Sequence, residues 1–91
     1  MSIFCQLYSI VVEMKNNVEN INIKIGLKIR LERTKRKLSQ EKLAELSDLS
    51  KVSIGAIERA EWSPTIETLA KIANAFEISL SELIDVSKVE I

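Results

Sequence analysis

The sequence contains no histidine and a single cysteine, Cys5. These absences exclude a histidine metal ligand, a histidine general base, an internal disulfide and a zinc site built from several cysteines. The glycine-rich phosphate loops and the nucleophile motif of common enzyme classes are also missing. No apolar run reaches the roughly 18–20 residues that span a bilayer. We therefore expect no enzyme, no cofactor, no metal and no membrane partner.

Glycine and proline are scarce as well, with two glycines and one proline among 91 residues. A β-sandwich or barrel needs many tight turns, and these residues favour such turns. The length is that of one small domain, and a hydrophobic content of 46% is ordinary for a globular chain. The composition therefore favours a mostly helical fold.

Charge is unevenly distributed although the formal net charge is zero. Residues 24–42 carry eight Lys and Arg against two Glu, whereas residues 58–91 carry seven acids against three bases. The whole chain is therefore not a general polyanion binder, but one face of it could bind a polyanion.

The N-terminal part, residues 1–23, differs from the rest. Residues 1–13 are apolar and β-branched, and read either as a strand or as a short helix. We expect this extension either to contribute to dimerisation or to be dispensable, since Met14 is a plausible alternative translation start. Residues 15–22 are polar and read as a linker or a frayed helix entry, which places the domain itself at residues 24–86 and a tail at 87–91.

Caps and apolar spacing predict five helices. Ser39, Ser50, Thr65 and Ser79 are each placed to cap a helix. The helices are expected at about Ile25–Lys37, at Gln40–Ser47, at Lys51–Arg59, after Thr65 and after Ser79. The residues predicted to face inward are Ile25, Ile29, Leu43, Ala44, Leu46, Ile54 and Ile57, together with the apolar stripe of the fourth helix, Ile66, Leu69, Ala70, Ala73 and Phe76. The fifth helix is apolar at Leu80, Leu83 and Ile84.

The second and third helices are separated by only three residues, Asp48-Leu49-Ser50. Aspartate tolerates the left-handed backbone of a tight turn. Two short helices with such a joint must cross at a large angle, and the second then projects from the body. This is the geometry of a DNA-reading helix-turn-helix unit.

The segments that carry a family resemblance are LSQEKLA, the IER after the turn, SPTIETL, and the KIA, F and SLSEL of the last two helices. With these, residues 25–84 resemble the helix-turn-helix domain of the phage repressor and Cro type, the XRE family. The resemblance implies an all-α, five-helix, lambda-repressor-like fold. Members of the family are largely bacterial and phage regulators that bind operators as dimers, and some are antitoxins or control restriction–modification operons.

The resemblance also implies a set of DNA-binding residues: Ser39, Gln40, Lys42, Lys51, Val52, Ser53, Ala56, Arg59 and Trp62. Gln40 would grip a phosphate and brace the reading helix, Lys51 would donate to guanine or phosphate, and Lys42 and Arg59 would contact phosphates. Val52 and Ala56 offer only methyl contacts. The alternatives are solvated surface residues and, for Trp62, packing over the corner between the third and fourth helices.

Arg33 and Glu58 stand where the family pairs an Arg of the first helix with a Glu of the reading helix. The pair would fix one helix against the other. Three positions depart from the family pattern. Asp48 and Ala60 replace glycines at helix ends, and Gly55 lies within the reading helix. With Val52, Gly55 and Ala56 the reading face has few hydrogen-bonding groups, which favours recognition of DNA shape.

The function expected is a sequence-specific, double-stranded DNA-binding transcriptional regulator, a cytoplasmic repressor acting as a homodimer on a palindromic operator. The alternative is an antitoxin or other protein-binding module, with residues 1–13 as the contact surface for a toxin. A dimer surface is predicted from residues 3–12 or from apolar residues near the C-terminus. The latter are Ile78, Leu80, Ile84, Val86, Val89 and Ile91.

Overall fold

The computed structural model describes residues 20–87 and 89, and within this part all regular structure is helical. Its five helices are α1 over residues 20–35, α2 Gln40–Ser47, α3 Lys51–Glu58, α4 Ile66–Phe76 and α5 Leu80–Ile84. Helix α2 packs against α3 and α4, and α4 packs against α5. The all-α, five-helix prediction is confirmed. None of the helices in this part is both long and apolar enough to cross a membrane.

Helix α1 differs from its prediction at both ends. Residues 20–23 are already helical, so α1 runs through the expected domain boundary after residue 23. The helix stops at Lys35 rather than Lys37, because Lys37 takes a left-handed φ of 57° and the Leu38 N–H donates to the Arg33 carbonyl at 3.0 Å. The expectations for residues 1–19, 88, 90 and 91 lie outside the described residues.

The four predicted N-caps are confirmed. In each case the cap oxygen accepts a hydrogen bond from the backbone N–H three residues later. The pairs are Ser39 with Lys42, Ser50 with Ser53, Thr65 with Thr68 and Ser79 with Glu82. Each bond satisfies one of the N–H groups that a helix start leaves without a partner, and so fixes where the helix begins.

Left-handed residues end α2 and follow α3. Asp48 has a φ of 57° and Ala60 a φ of 58°, so the chain keeps the backbone that the family builds with glycine. The Glu61 N–H donates to the Ala56 carbonyl at 2.9 Å across this turn. A Cβ in this region costs roughly 1–2 kcal/mol, and the structure retains that strain at Ala60.

The core is formed by eleven apolar side chains from all five helices: Ile25, Ile29, Leu43, Ala44, Ile54, Ile57, Leu69, Ile72, Ala73, Phe76 and Leu83. Two predicted core residues are instead exposed. Leu46 is 49% exposed because the buried arc of α2 is centred on Leu43, Ala44 and Ser47, roughly a quarter turn away. Ile66 is 72% exposed, since it is the first residue of α4.

Gly26 sets the distance between α1 and the end of α3. A Cβ added to Gly26 would lie 2.6 Å from the Ile57 carbonyl oxygen and 2.8 Å from that of Glu58. Both neighbours are backbone atoms that cannot swing aside. The absence of a side chain at Gly26 is therefore what allows α1 to lie directly against the last turn of α3.

Candidate nucleic-acid interface

Helix α3 is buried on one side and open to solvent on the other. Ile54 and Ile57, one turn apart, are 0% and 1% exposed. Val52 is 79% exposed, and Lys51 beside it is exposed as well. The helix thus presents a free outer face that begins at Lys51.

The turn before α3 orients this face. The Leu49 N–H donates to the Ala44 carbonyl at 2.9 Å, and Leu49 packs against the core. Together with the left-handed Asp48, this contact closes α2 within one residue and redirects the chain. The cap at Ser50 then starts α3 at once, so the three-residue joint predicted from the sequence is present.

Lys51 has a free ammonium group, with no acid or hydrogen-bond acceptor in contact with it among residues 20–87. Its only charged neighbour within α3 is Glu58, and the side chain of Glu58 is fully buried. The outer flank of α3 itself therefore carries a positive charge and no exposed acid.

Glu58 holds α3 to the two preceding helices. Arg33 donates from Nε to Glu58 Oε2 at 2.7 Å and from Nη2 to Oε1 at 3.0 Å. Gln40 Nε2 donates to the same Oε1 at 3.2 Å, and Arg30 Nε lies 3.5 Å from it. The predicted partners Arg33 and Glu58 are thus brought together, and α1 and α2 both contribute to the same carboxylate.

The ionisation of Glu58 reflects these partners. Burial alone would raise the pKa of its carboxyl group. The hydrogen bonds from Arg33 and Gln40, together with the charges of Arg33 and Arg30, outweigh burial and hold the pKa below its ordinary value. Glu58 is therefore charged at neutral pH, as a partner of Arg33 must be.

The predicted DNA-binding residues around α2 have intramolecular roles in the free protein. Ser39 accepts the Lys42 N–H at 2.9 Å as the cap of α2. The Lys42 ammonium lies 3.5 Å from Glu45, on an exposed surface. Gln40 uses its amide N–H on Glu58, which leaves its carbonyl oxygen and one amide hydrogen for other contacts.

Ser53 and Ala56, a polar and a small residue of α3, are partly occupied by contacts within the protein. The Ser50 hydroxyl donates to the Ser53 hydroxyl at 2.9 Å, so Ser53 belongs to the cap network. Ala56 is half-buried and sits one turn beyond Val52 on the outer side of the helix. Neither residue adds a free charge to the surface.

Arg59 follows α3 and folds back over it. Its Nε donates to Glu61 Oε1 and its Nη2 to Glu61 Oε2, both at 3.0 Å. A Cβ added to Gly55 would lie 2.9 Å from Arg59 Nη1, so the guanidinium covers Gly55. The hydrogen bonds and charge of Arg59 lower the pKa of the Glu61 carboxyl.

Trp62 lies just beyond this pair, on the loop between α3 and α4. Its side chain is 41% exposed. On the same loop the Ser63 hydroxyl lies 3.3 Å from the Asn22 amide oxygen of α1. Trp62 thus lies on the loop that follows Arg59, with part of its ring open to solvent.

Three structural features escaped prediction: Glu61 as the partner of Arg59, Arg30 as a second cation at Glu58, and Gly26 as the contact point of α1. The Arg-x-Glu spacing of Arg59 and Glu61 lies beyond the end of α3, where helical periodicity carries no signal. Gly26 was visible only as one of two glycines in the chain. In residues 20–87 and 89, no three His, Cys, Asp or Glu side chains cluster as metal ligands do.

The helix-turn-helix family model HTH_3 matches residues 29–83, which include α2, α3 and α4 completely. Among curated proteins, the immunity repressor of Bacillus phage phi105 is 37% identical over 60 residues. That match covers 66% of this chain and 42% of the repressor, so this chain spans less than half of the repressor's length.

Two solved structures show the same arrangement of helices. The restriction-modification controller protein C.AhdI from Aeromonas hydrophila superposes with a TM-score of 0.67 at 37% identity, covering 68% of this chain and 94% of that one. The P22 c2 repressor, solved in complex with a synthetic operator, superposes with a TM-score of 0.63 at 32% identity, with the same coverages of 68% and 94%.

Proposed function

The chain belongs to the helix-turn-helix family HTH_3, and on that basis we propose that it is a sequence-specific DNA-binding transcriptional regulator. We further propose that it is a cytoplasmic repressor that binds a palindromic operator as a homodimer. The observation that carries this proposal is the free, non-acidic outer face of α3, which begins at Lys51.

The dimensions of α3 support the proposal. With its side chains, an α-helix such as α3 is about 10–12 Å in diameter. The major groove of B-form DNA is about 12 Å wide and admits one helix. The three contacts to Glu58 and the packing of Gly26 hold the inner side of α3, so the helix can enter the groove without rearranging.

The role of each surface residue follows from its chemistry. Lys51 donates to a guanine edge or a phosphate, Val52 contacts a thymine methyl, and Lys42 donates to a phosphate. Gln40 offers its remaining amide hydrogen to a phosphate while bracing Glu58. Because methyl groups dominate the centre of α3, DNA shape contributes to the choice of operator.

A homodimer is proposed because one eight-residue helix makes few contacts and two copies double them over adjacent turns of the duplex. Ile78, Leu80 and Val86 pack against the core of their own chain. Val89 lines a groove with Leu27 and Leu31 of α1. Of the predicted C-terminal dimer residues in the described part, Ile84 therefore remains the one with a free apolar side chain.

The experiment is a selection of bound sequences from random duplexes with the full chain, followed by affinity measurements on the selected duplex over a range of salt. Counterion release predicts that log K falls linearly with log salt, by about 0.9 per phosphate contacted. Lys51→Ala should weaken binding by roughly 1–3 kcal/mol. Lys71→Ala, which removes the same charge from α4, is the matched control and should bind as the wild type does.

Sedimentation of the same preparation measures the oligomeric state. The selected sequence shows whether the operator is symmetric. A palindromic consensus bound by two chains supports the dimer. Failure to bind any duplex at low salt would overturn the proposal. The antitoxin alternative depends on residues 1–13, which lie outside the described residues, and no structural observation favours it.

A further inference from the structure

The outer face of α3 has a gap at its centre. Val52, Gly55 and Arg59 are spaced at i, i+3 and i+7, and so lie along one side of the helix. Gly55 has no side chain, and the guanidinium of Arg59 occupies the space above it, with Nη1 2.9 Å from the position a Cβ would take. Arg59 thus supplies the polar group that the middle of the reading face otherwise lacks.

Glu61 holds the guanidinium in this position. The two hydrogen bonds from Nε and Nη2 engage both carboxylate oxygens, which is the bidentate geometry that fixes the plane of an arginine. One edge of the guanidinium is thereby occupied. The other edge, formed by Nη1 and Nη2, retains three hydrogens, and Nη1 has no acceptor among residues 20–87 and 89.

The charges of Arg59 and Glu61 indicate what kind of group the open edge of the guanidinium binds. A phosphate contact draws its strength from net positive charge and from released counterions. The carboxylate of Glu61 cancels the charge of Arg59 and would itself repel a phosphate. A base edge, in contrast, is neutral and is recognised by the direction of hydrogen bonds. Guanine presents O6 and N7 side by side in the major groove, and a bidentate arginine matches that pair.

We propose that Arg59 is a base-reading residue that recognises guanine O6 and N7 through Nη1 and Nη2, and that Glu61 is the positioning residue that aims it. The inference rests on the proposed function and refines it, because Arg59 was predicted from the sequence to contact a phosphate. The guanine lies opposite the centre of α3, between the bases reached by Lys51 and the end of the helix.

The test begins with the duplex selected by the wild type. Each guanine is replaced in turn by 7-deazaguanine, which removes the N7 acceptor and leaves the backbone unchanged. At one guanine in each half-site, we expect the wild type to lose about 5- to 100-fold in affinity. Arg59→Ala should bind the natural duplex that much more weakly, and should not distinguish it from the 7-deaza duplex at that position.

Glu61→Gln separates positioning from charge. The substitution removes a negative charge, so binding to random duplex should stay the same or tighten, with a salt slope at least as steep as the wild type's. Discrimination against 7-deazaguanine should nevertheless fall several-fold. A purely electrostatic role for Glu61 predicts tighter binding with discrimination unchanged.

The inference is overturned if Arg59→Ala weakens all duplexes equally and lowers the salt slope by about one. That pattern is a phosphate contact. It leaves the proposed function intact, whereas a wild type that binds no duplex overturns the proposed function and this inference with it. Circular dichroism of each variant establishes that it is folded, which the half-exposed side chain of Arg59 leads us to expect.

Discussion

Arg33 and Glu58 stand 25 residues apart in the chain and are joined by two hydrogen bonds, of 2.7 and 3.0 Å, between α1 and the last residue of α3. Arg33 Nη1 also donates to the Leu38 carbonyl at 2.9 Å, so one guanidinium closes the end of α1 and holds the end of α3. Arg33 therefore helps to fix the angle at which α3 leaves the body, together with the contacts of Gln40 and Arg30 to Glu58.

Arg33→Ala should destabilise the fold, because Glu58 would remain buried and charged without its main partner. Removing one member of a buried pair typically costs about 3–5 kcal/mol. Because Gln40 and Arg30 still contact Glu58, we expect a loss of stability at the lower end of this range. Urea unfolding followed by circular dichroism measures the effect. The double variant Arg33→Met with Glu58→Leu removes both charges and should recover most of the loss, and an unchanged midpoint in Arg33→Ala would contradict the prediction.

Stability should fall in acid, and Glu58 should contribute to that fall. The pKa of Glu58 is lower in the folded state than in the unfolded state. Its stabilising contribution is therefore complete above the unfolded value of about 4.3, and is lost as the pH falls through the folded value. The free energy of unfolding measured from pH 6 down to pH 2 should decrease less steeply in Glu58→Gln than in the wild type. Equal slopes would show that Glu58 does not carry the dependence.

The sequence was enough to predict the order of the helices, because caps at Ser39, Ser50, Thr65 and Ser79 are local signals. It was less reliable for burial at helix ends. Leu46 and Ile66 fit an apolar stripe, but the stripe of a short helix is wider than the surface its neighbours cover, and only the tertiary contacts decide which edge is buried. The extent of α1 was missed for a related reason, since asparagines at 20 and 22 are helical here despite weak propensity.

The sequence predicted the parts of the candidate interface that belong to the α2–α3 unit. It did not predict the side-chain contacts that residues outside this unit make. The pairing of Arg33 with Glu58 and the exposure of Lys51 follow from positions that the family resemblance supplied. Glu61 lies outside any helix, and its effect on Arg59 depends on side-chain geometry that spacing does not encode. The consequence of Gly55 was likewise hidden, because the group that fills its space comes from one turn further along.

The two glycines should respond in opposite ways to alanine. At Gly26 the added methyl group would meet backbone oxygens at 2.6 and 2.8 Å, so α1 and α3 would have to move apart. We expect a loss of about 1–3 kcal/mol in spite of the better helix propensity of alanine. At Gly55 the methyl group meets only the far end of Arg59, and we expect stability to be unchanged or raised by up to about 1 kcal/mol. Urea midpoints of the pair decide this, and a stable Gly26→Ala would refute the close approach.

Trp62 provides an intrinsic probe because it is the chain's one tryptophan, and its side chain is 41% exposed. If its indole N–H donates to a phosphate, the emission of Trp62 should change as duplex is added. Trp62→Phe should then weaken binding by about 1.5–3 kcal/mol, the net value of a hydrogen bond to a charged group, and leave the urea midpoint in place. Packing over the corner between α3 and α4 predicts the reverse, with a lowered midpoint and unchanged affinity. Two titrations distinguish these alternatives: the fluorescence of Trp62 and the anisotropy of a labelled duplex. If the duplex anisotropy rises on binding while the emission of Trp62 stays unchanged, the phosphate contact is excluded.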